Sequence, residues 1–259
     1  MGEYSIYLEA ALDVVREAGD VLRADYARAG EVRFKGIVNL VTETDLASQE
    51  LIHRRLSARF PDHDFLAEEE LRKESGAEFR WVFDPLDGTT NFAHRLPVFC
   101  VSLALERRGE LVCGVVHNPI SGETFRGELG GGAFLGETPI RVSPIADLDK
   151  ALLATGFPYD IRETRANIAH HDEFLVRTQA IRRCGSAALD LCYVACGRFD
   201  GFWEMKLSPW DTAAGAVILR EAGGRITDFR GEPVDIYQPE VCASNGRIHE
   251  AMLSILNRS

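Results

Sequence analysis

The spacing of apolar residues changes along this chain, and that change restricts its fold more than any other feature. From residue 5 to about 26, Leu8, Ala11, Leu12, Val15, Ala18 and Leu22 recur every three or four residues, which predicts an amphipathic helix ended or followed by Gly30. A polar stretch with Lys35, Gly36 and Asn39 leads to Val41-Thr42-Glu43-Thr44-Asp45. Leu46, Ile52, Leu56 and Phe60 then repeat helically until Pro61 stops the run. Beyond this the apolar runs have strand length. Phe65-Leu66-Ala67 ends in Glu68-Glu69-Glu70, and Trp81-Val82-Phe83 ends in Asp84. Residues 98–105 and 111–117 flank Arg107-Arg108-Gly109-Glu110 and predict a hairpin. Residues 123–127 and 140–142 predict further strands around Gly130-Gly131-Gly132.

The second half alternates. Strands are expected at 151–155, 181–184, 201–204 and 241–243, each followed by a helix, at 163–178, 186–196, 210–222 and 247–256. Helices, then mostly adjacent strands, then alternation imply an α+β half joined to an α/β half in layers. The boundary is placed near 143–149, which divides the chain into an N-terminal α+β domain, 1–145, and a C-terminal α/β domain, 146–259. No linker, low-complexity segment or internal repeat interrupts the chain.

Composition closes off several classes. A chain of 259 residues can bury roughly 70–75% of its extended surface and needs no staple to fold. The longest apolar runs, 98–101 and 213–219, fall far short of the ~20 residues that span a bilayer. Glu3, Glu9 and Asp13 stand where a signal peptide needs positive charge and then an apolar stretch, so a cytoplasmic location is expected. The net charge of −11 opposes direct nucleic-acid or anionic-membrane binding, so a phosphate-bearing substrate needs local positive charge, for which metal ions are one source. Cys100, Cys113, Cys184, Cys192, Cys196 and Cys242 form no Cys-x-x-Cys pair and are expected as reduced core residues.

The chemistry concentrates in Asp84-Pro85-Leu86-Asp87-Gly88-Thr89-Thr90-Asn91-Phe92. A strand delivers Asp84, Pro85 stiffens the backbone, and Gly88 permits an unusual dihedral or the close approach of a ligand. The amides of Gly88, Thr89 and Thr90 can converge on an anion, while the carboxylates suit a hard divalent cation. Taken alone, the same residues also suit an ordinary Asx-type turn. Trp210-Asp211-Thr212-Ala213-Ala214-Gly215 opens a helix after Ser208-Pro209, where Asp211 alone could be no more than a cap. Glu68 and Glu69 alone could be a solvated acidic loop.

Together, Asp84-Pro-x-Asp-Gly-Thr-x-Asn-Phe and Trp210-Asp-x-Ala-Ala-Gly strongly resemble the inositol monophosphatase family of magnesium-dependent, lithium-sensitive phosphatases. The likeness runs from Lys35 and Val41-Thr42-x-Thr44-Asp45 through Ala67-Glu68-Glu69 to Gly223-Gly224. It implies a layered αβαβα sandwich of the sugar-phosphatase type with the active site between the two domains. It also implies that Glu68, Asp84, Asp87, Asp211 and the Leu86 carbonyl hold about two or three Mg²⁺ ions. Two carboxylates 4 Å apart repel by about 4 kcal/mol at an effective dielectric of 20, so such a cluster requires cations.

By the same resemblance Glu68 and Thr89 orient the attacking water, and Asp45 accepts a hydrogen bond from the Thr89 hydroxyl. Lys35 supports the site from a loop. The amides of Gly88 and Thr89 meet the phosphate. Substrate contacts are expected at Asp87, Ala187, Glu204 and Asp211, with Glu204 seven residues before Asp211. No phosphoenzyme is implied, and the histidines are expected to be structural or superficial. The expected substrate is a small-molecule phosphate monoester, myo-inositol monophosphate. The alternatives are fructose 1,6-bisphosphate, 3′-phosphoadenosine 5′-phosphate, NADP or histidinol phosphate, or a role as a regulatory partner of the transcription machinery. A homodimer is the expected assembly.

Overall fold

The computed structural model describes residues 2–28, 43–69 and 71–257. Gly30, Lys35, Gly36, Asn39, Val41, Thr42 and Glu70 lie outside the described residues. Two helices open the chain, α1 (Ser5–Arg28) and α2 (Glu43–Arg59), the second ending just before Pro61 as expected. The elements that follow are β1 (Asp64–Ala67), β2 (Arg72–Lys73), β3 (Phe79–Asp87), the short helix α3 (Thr89–Ala93), β4 (Cys100–Arg107), β5 (Glu110–His117), β6 (Thr124–Glu128), β7 (Gly132–Leu135) and β8 (Thr138–Pro139). After a 3-10 turn at Leu148–Lys150 come β9 (Leu152–Thr155), α4 (Ile161–Thr164), α5 (Ile168–Leu175), β10 (Ala180–Arg182) and α6 (Ala187–Ala195). The chain finishes with β11 (Gly201–Met205), α7 (Pro209–Glu221), β12 (Arg225–Thr227), β13 (Glu240–Ser244) and α8 (His249–Leu256).

These elements form five layers. Helices α1 and α2 cover one face of an eight-stranded sheet ordered β2-β1-β3-β4-β5-β6-β7-β8. Its other face meets α6 and α7, which in turn lie on a five-stranded sheet ordered β10-β9-β11-β13-β12, and α5 and α8 close the far side. Three apolar clusters fill the gaps: one holds Leu8, Val15, Leu22, Leu56 and Trp81, the next Ala214, Ile218, Leu191 and Phe202, the third Phe174, Trp203 and Met252. The central layer is built for close approach, since a Cβ on Gly114 of β5 would stand 2.6 Å from the Ala214 carbonyl of α7. The expected layered sandwich is therefore what the chain forms. The hairpin expected around Arg108 and Gly109 is β4–β5, and both residues have the positive φ of a tight primed turn, 52° and 87°.

Two expectations fail for physical reasons. The helix expected over 163–178 is broken into α4 and α5 because Arg165 and Asn167 adopt left-handed φ values of 54° and 68°. Asn167 tolerates that conformation and is buried in a hydrogen-bond network: its Nδ2 donates to Thr155 Oγ1 at 2.8 Å and to the Gly156 carbonyl at 2.7 Å, while its Oδ1 accepts from Trp203 Nε1 at 2.7 Å. The strand expected at 140–142 does not form either. After Pro139 the Ile140 amide still reaches the Ala133 carbonyl of β7, but the Val142 amide then donates to the Ala222 carbonyl at the end of α7. The short β2, α3 and β12 had no visible apolar period.

Candidate active site

Glu68 and Asp84 are brought together by strand direction. β1 and β3 run parallel with Ala67 opposite Phe83, so the next residue of each strand emerges at the same edge. Asp84 and Asp87 are brought together by a bulge. Against β4, Asp84 pairs with Ser102 and Asp87 with Cys100, so three steps on β3 oppose two on β4. Without the extra residue, positions three apart in a strand point to opposite faces; with it, both acids share the face that Ser102 and Cys100 occupy, toward the central helices. Pro85 lies within this bulge, and its carbonyl is held by Ser48 Oγ of α2 at 2.9 Å.

The turn that follows requires its glycine. Gly88 has φ 97°, and a Cβ there would stand 2.9 Å from the Val98 carbonyl. Asn91 then ties the turn across the molecule, its Nδ2 donating to the carbonyls of Val98 at 2.6 Å and Cys184 at 2.8 Å. That contact places the turn against the N-terminus of α6, where Asp87 Oδ2 accepts from Ser186 Oγ at 2.6 Å and from the Ala188 amide at 2.9 Å. Ala187 is the first residue of α6. Asp211 sits in the first turn of α7 and accepts the Ser208 amide on Oδ2 at 2.7 Å, while Asp84 Oδ1 accepts the Leu86 amide at 2.8 Å. In each of the three aspartates one oxygen is thus bound to the scaffold and the other lies outside that bond.

The electrostatics are those of crowded, poorly opposed acids. Burial first, and then the charges of Glu68, Asp87 and Asp211, push the Asp84 carboxyl well above the usual range. Burial and Asp87 do the same to Asp211. Glu68 is raised to about 7, chiefly by burial, with a hydrogen bond to Asp84 opposing and the charges of Glu69, Asp45 and Asp87 adding. Asp87 is raised by burial despite its donors. Asp45 is buried in the first turn of α2, and its charge acts on Glu68. The Thr89 hydroxyl, expected to reach Asp45, donates instead to the Leu86 carbonyl of its own turn at 3.2 Å, a local partner that needs no long-range placement. Among the described residues no three His, Cys, Asp or Glu side chains form a ready-made coordination set.

Glu204 lies on β11, buried, with its carboxyl raised by burial while Arg183 opposes the shift. Asp87 and Asp211 are among the charges that act on it, so the two sheets contribute to one acidic region. Three histidines are engaged elsewhere. His63 stacks on Phe60 and Phe79, His117 is bonded to Thr124, and His249 is buried between Ser244 and Thr227. All six cysteines are free thiols.

Sequence reading missed Asp190, a wholly buried acid of α6 beside Cys184 and Arg183, whose carboxyl burial raises strongly. The available signal was a lone acid in the apolar run Ala187–Ala195. It also missed Tyr159, in the loop after β9 that Asp160 anchors on Lys206.

A model of the inositol monophosphatase family matches residues 3–259. The chain belongs to the inositol monophosphatase family. It is 44% identical over 255 residues to an inositol-1-monophosphatase of Synechocystis sp., covering 96% of this chain and 88% of that one. It is 42% identical over 263 residues to inositol monophosphatase 3 of Solanum lycopersicum, covering 99% and 98%. The solved structure of an inositol monophosphatase from Anabaena (Nostoc) sp. superposes with a TM-score of 0.91 at 40% identity, covering 99% of this chain and 97% of that one. Membership makes this protein a phosphatase and accounts for the layered sandwich. No helix among its described residues is long and apolar enough to cross a membrane.

Proposed function

We propose that the protein is a Mg²⁺-dependent phosphomonoesterase that hydrolyses myo-inositol monophosphates to inositol and phosphate. The observation that supports this best is the sharing of one face by Asp84 and Asp87 through the β3 bulge, with Glu68 and Asp211 beside them. The donor set suits Mg²⁺. It is all oxygen, Asp84 and Asp87 are buried with Glu68 and Asp211 half-buried, and its charges raise one another's proton affinity, so a hard dication replaces protons that the cluster otherwise holds.

Glu68, Asp84, Asp87, Asp211 and the Leu86 carbonyl are the proposed metal ligands, with about two or three ions per site. When bound, Mg²⁺ supplies Lewis-acid neutralisation of the phosphate and acidifies water. Glu68 and Thr89 orient the attacking water, and burial, helped by the charges of Glu69 and Asp45, keeps Glu68 a strong proton acceptor. The amides of Gly88 and Thr89 hold the phosphate, which the left-handed turn at Gly88 makes available. Asp87, Asp211, Glu204 and the backbone at Ala187 position the departing alcohol, with Glu204 accepting its hydroxyls. The division into 1–145 and 146–259 belongs to the same proposal, since Glu68, Asp84 and Asp87 come from one part and Glu204 and Asp211 from the other.

The test is phosphate release from inositol 1-phosphate, fructose 1,6-bisphosphate and 3′-phosphoadenosine 5′-phosphate across a Mg²⁺ titration, with and without Li⁺. Preference for inositol 1-phosphate, an absolute need for Mg²⁺ and inhibition by Li⁺ are expected. Preference for the nucleotide overturns the substrate, and full activity in EDTA overturns the metal.

A further inference from the structure

The loop that follows β9 carries a residue that the phosphatase chemistry leaves without a task. β9 and β11 run parallel with Thr155 opposite Trp203, so the chain leaves β9 at the edge where Glu204 stands. In parallel sheets the loops at this edge are where ligands bind. Gly156 lies so close to Glu204 that a Cβ on it would come within 2.0 Å of Oε1. The loop is then pinned in three places. The Gly156 carbonyl accepts from Asn167 Nδ2 at 2.7 Å, the Phe157 ring lies 5.7 Å from that of His171, and Asp160 is paired with Lys206.

Between those anchors Tyr159 is held out, 60% exposed, and its hydroxyl makes no hydrogen bond to any described residue. Its place in the loop is set beside the acid, because Gly156 abuts Glu204 on one side of it and Asp160 pairs with Lys206, two residues past Glu204, on the other. A large aromatic side chain fixed at the rim, beside an acid that accepts hydroxyl groups, has the two chemistries that a cyclic polyol presents: a ring of C–H groups and a rim of O–H groups. Its two χ angles make such a contact at low entropic cost.

We infer that Tyr159 is a specificity-determining residue whose ring covers the carbon face of a cyclic polyol phosphate while Glu204 accepts its hydroxyls. This rests on the phosphatase reading above and adds to it a preference for cyclic over acyclic alcohols. The ring makes the contact; the hydroxyl is secondary.

The experiment compares wild type, Tyr159→Phe and Tyr159→Ala, full length with Mg²⁺, on inositol 1-phosphate and on acyclic glycerol 2-phosphate. In Tyr159→Ala, KM for inositol 1-phosphate is expected to rise about tenfold with kcat changed by less than about twofold, and the cyclic-to-acyclic ratio of kcat/KM to fall about tenfold. Tyr159→Phe is expected to keep that ratio within about threefold of wild type. The thermal midpoint of both variants should match wild type, because the side chain lies in an exposed loop. Equal loss on both esters, no change on either, or a Phe variant as impaired as the Ala variant would each overturn the assignment. Wild type that hydrolyses neither ester with Mg²⁺ fails the phosphatase reading itself, an outcome distinct from an active wild type with an unresponsive Ala variant.

Discussion

Asp64 and Asp84 stand at opposite ends of the neighbouring parallel strands β1 and β3, both buried, yet their carboxyl groups are driven in opposite directions. Burial acts against the ionised form of each. At Asp64 four donors overcome it: the amide and hydroxyl of Ser75 at 2.8 and 2.7 Å on Oδ1, and the amides of Gly76 and Ala77 at 3.1 Å each on Oδ2. These hold the Asp64 carboxyl below the usual range. At Asp84 the Leu86 amide opposes the charges of three neighbouring carboxylates, and the pKa rises. What separates the two acids is therefore their partners as well as the deeper burial of Asp84. Donors aimed at Asp64 lock a loop; acids aimed at Asp84 leave a demand that a cation can meet.

The largest effect expected from this contrast is on catalysis. Asp84→Asn should lower Mg²⁺-dependent phosphate release on the order of 10³-fold, while its melting point in EDTA rises because a like charge is gone. Near-full activity in this variant would remove the metal assignment. The mirror-image substitution, Asp64→Asn, should do the reverse. It leaves kcat within about twofold but lowers stability by about 2 kcal/mol, or roughly 4–8 °C in thermal midpoint, because the new amide faces two N–H donors. A fall in kcat without a fall in stability would erase the distinction between the two ends.

The smallest effect is on pH dependence. Glu68 has its folded pKa raised from 4.5 to about 7, so the folded chain binds more protons than the unfolded chain in that window. Its contribution to stability is complete below pH 4.5 and is lost as pH rises through 7. His249 works the other way. Its pKa is lowered to about 4 by burial, so stability is lost as pH falls from 6.5 toward 4. Subtracting Glu68→Gln from wild type isolates the first term. In EDTA, wild type should lose roughly a few degrees of thermal midpoint relative to Glu68→Gln between pH 5 and 8, and Mg²⁺ should restore them. A difference that stays constant with pH, or one that Mg²⁺ does not change, contradicts the shared-proton picture of the cluster.

Much of this was legible before any coordinates. The helical period of α1 and α2, the hairpin at Arg108-Gly109 and the elements β10, α6, β11, α7, β13 and α8 were read within about two residues. They depend on neighbours a few positions apart. The break between α4 and α5 was not legible, because the groups that hold Asn167 in its left-handed conformation belong to Thr155, Gly156 and Trp203. Nor was the role of Asp64, which looks in sequence like any acid before a strand, or that of Asn91, whose partners at Cys184 and Val98 bind one sheet's turn to the other sheet's loop. At the site, the resemblance to the family marked Asp84, Asp87 and Asp211 as candidates. That Thr89 donates to Leu86 and not to Asp45 was not written in the motif.

Sequence alone settled most of the longer helices and strands, which carboxylates end strands, and which family the pattern resembles, since local stereochemistry and side-chain period are properties of consecutive residues. The tertiary structure decided which acids meet: strand direction brought Glu68 to Asp84, a single bulge turned Asp87 onto the same face, and the crossing of α7 over the sheet delivered Asp211. Charge interactions act across space and not along the chain, so whether a buried carboxylate faces donors or other carboxylates is set only when distant segments have packed.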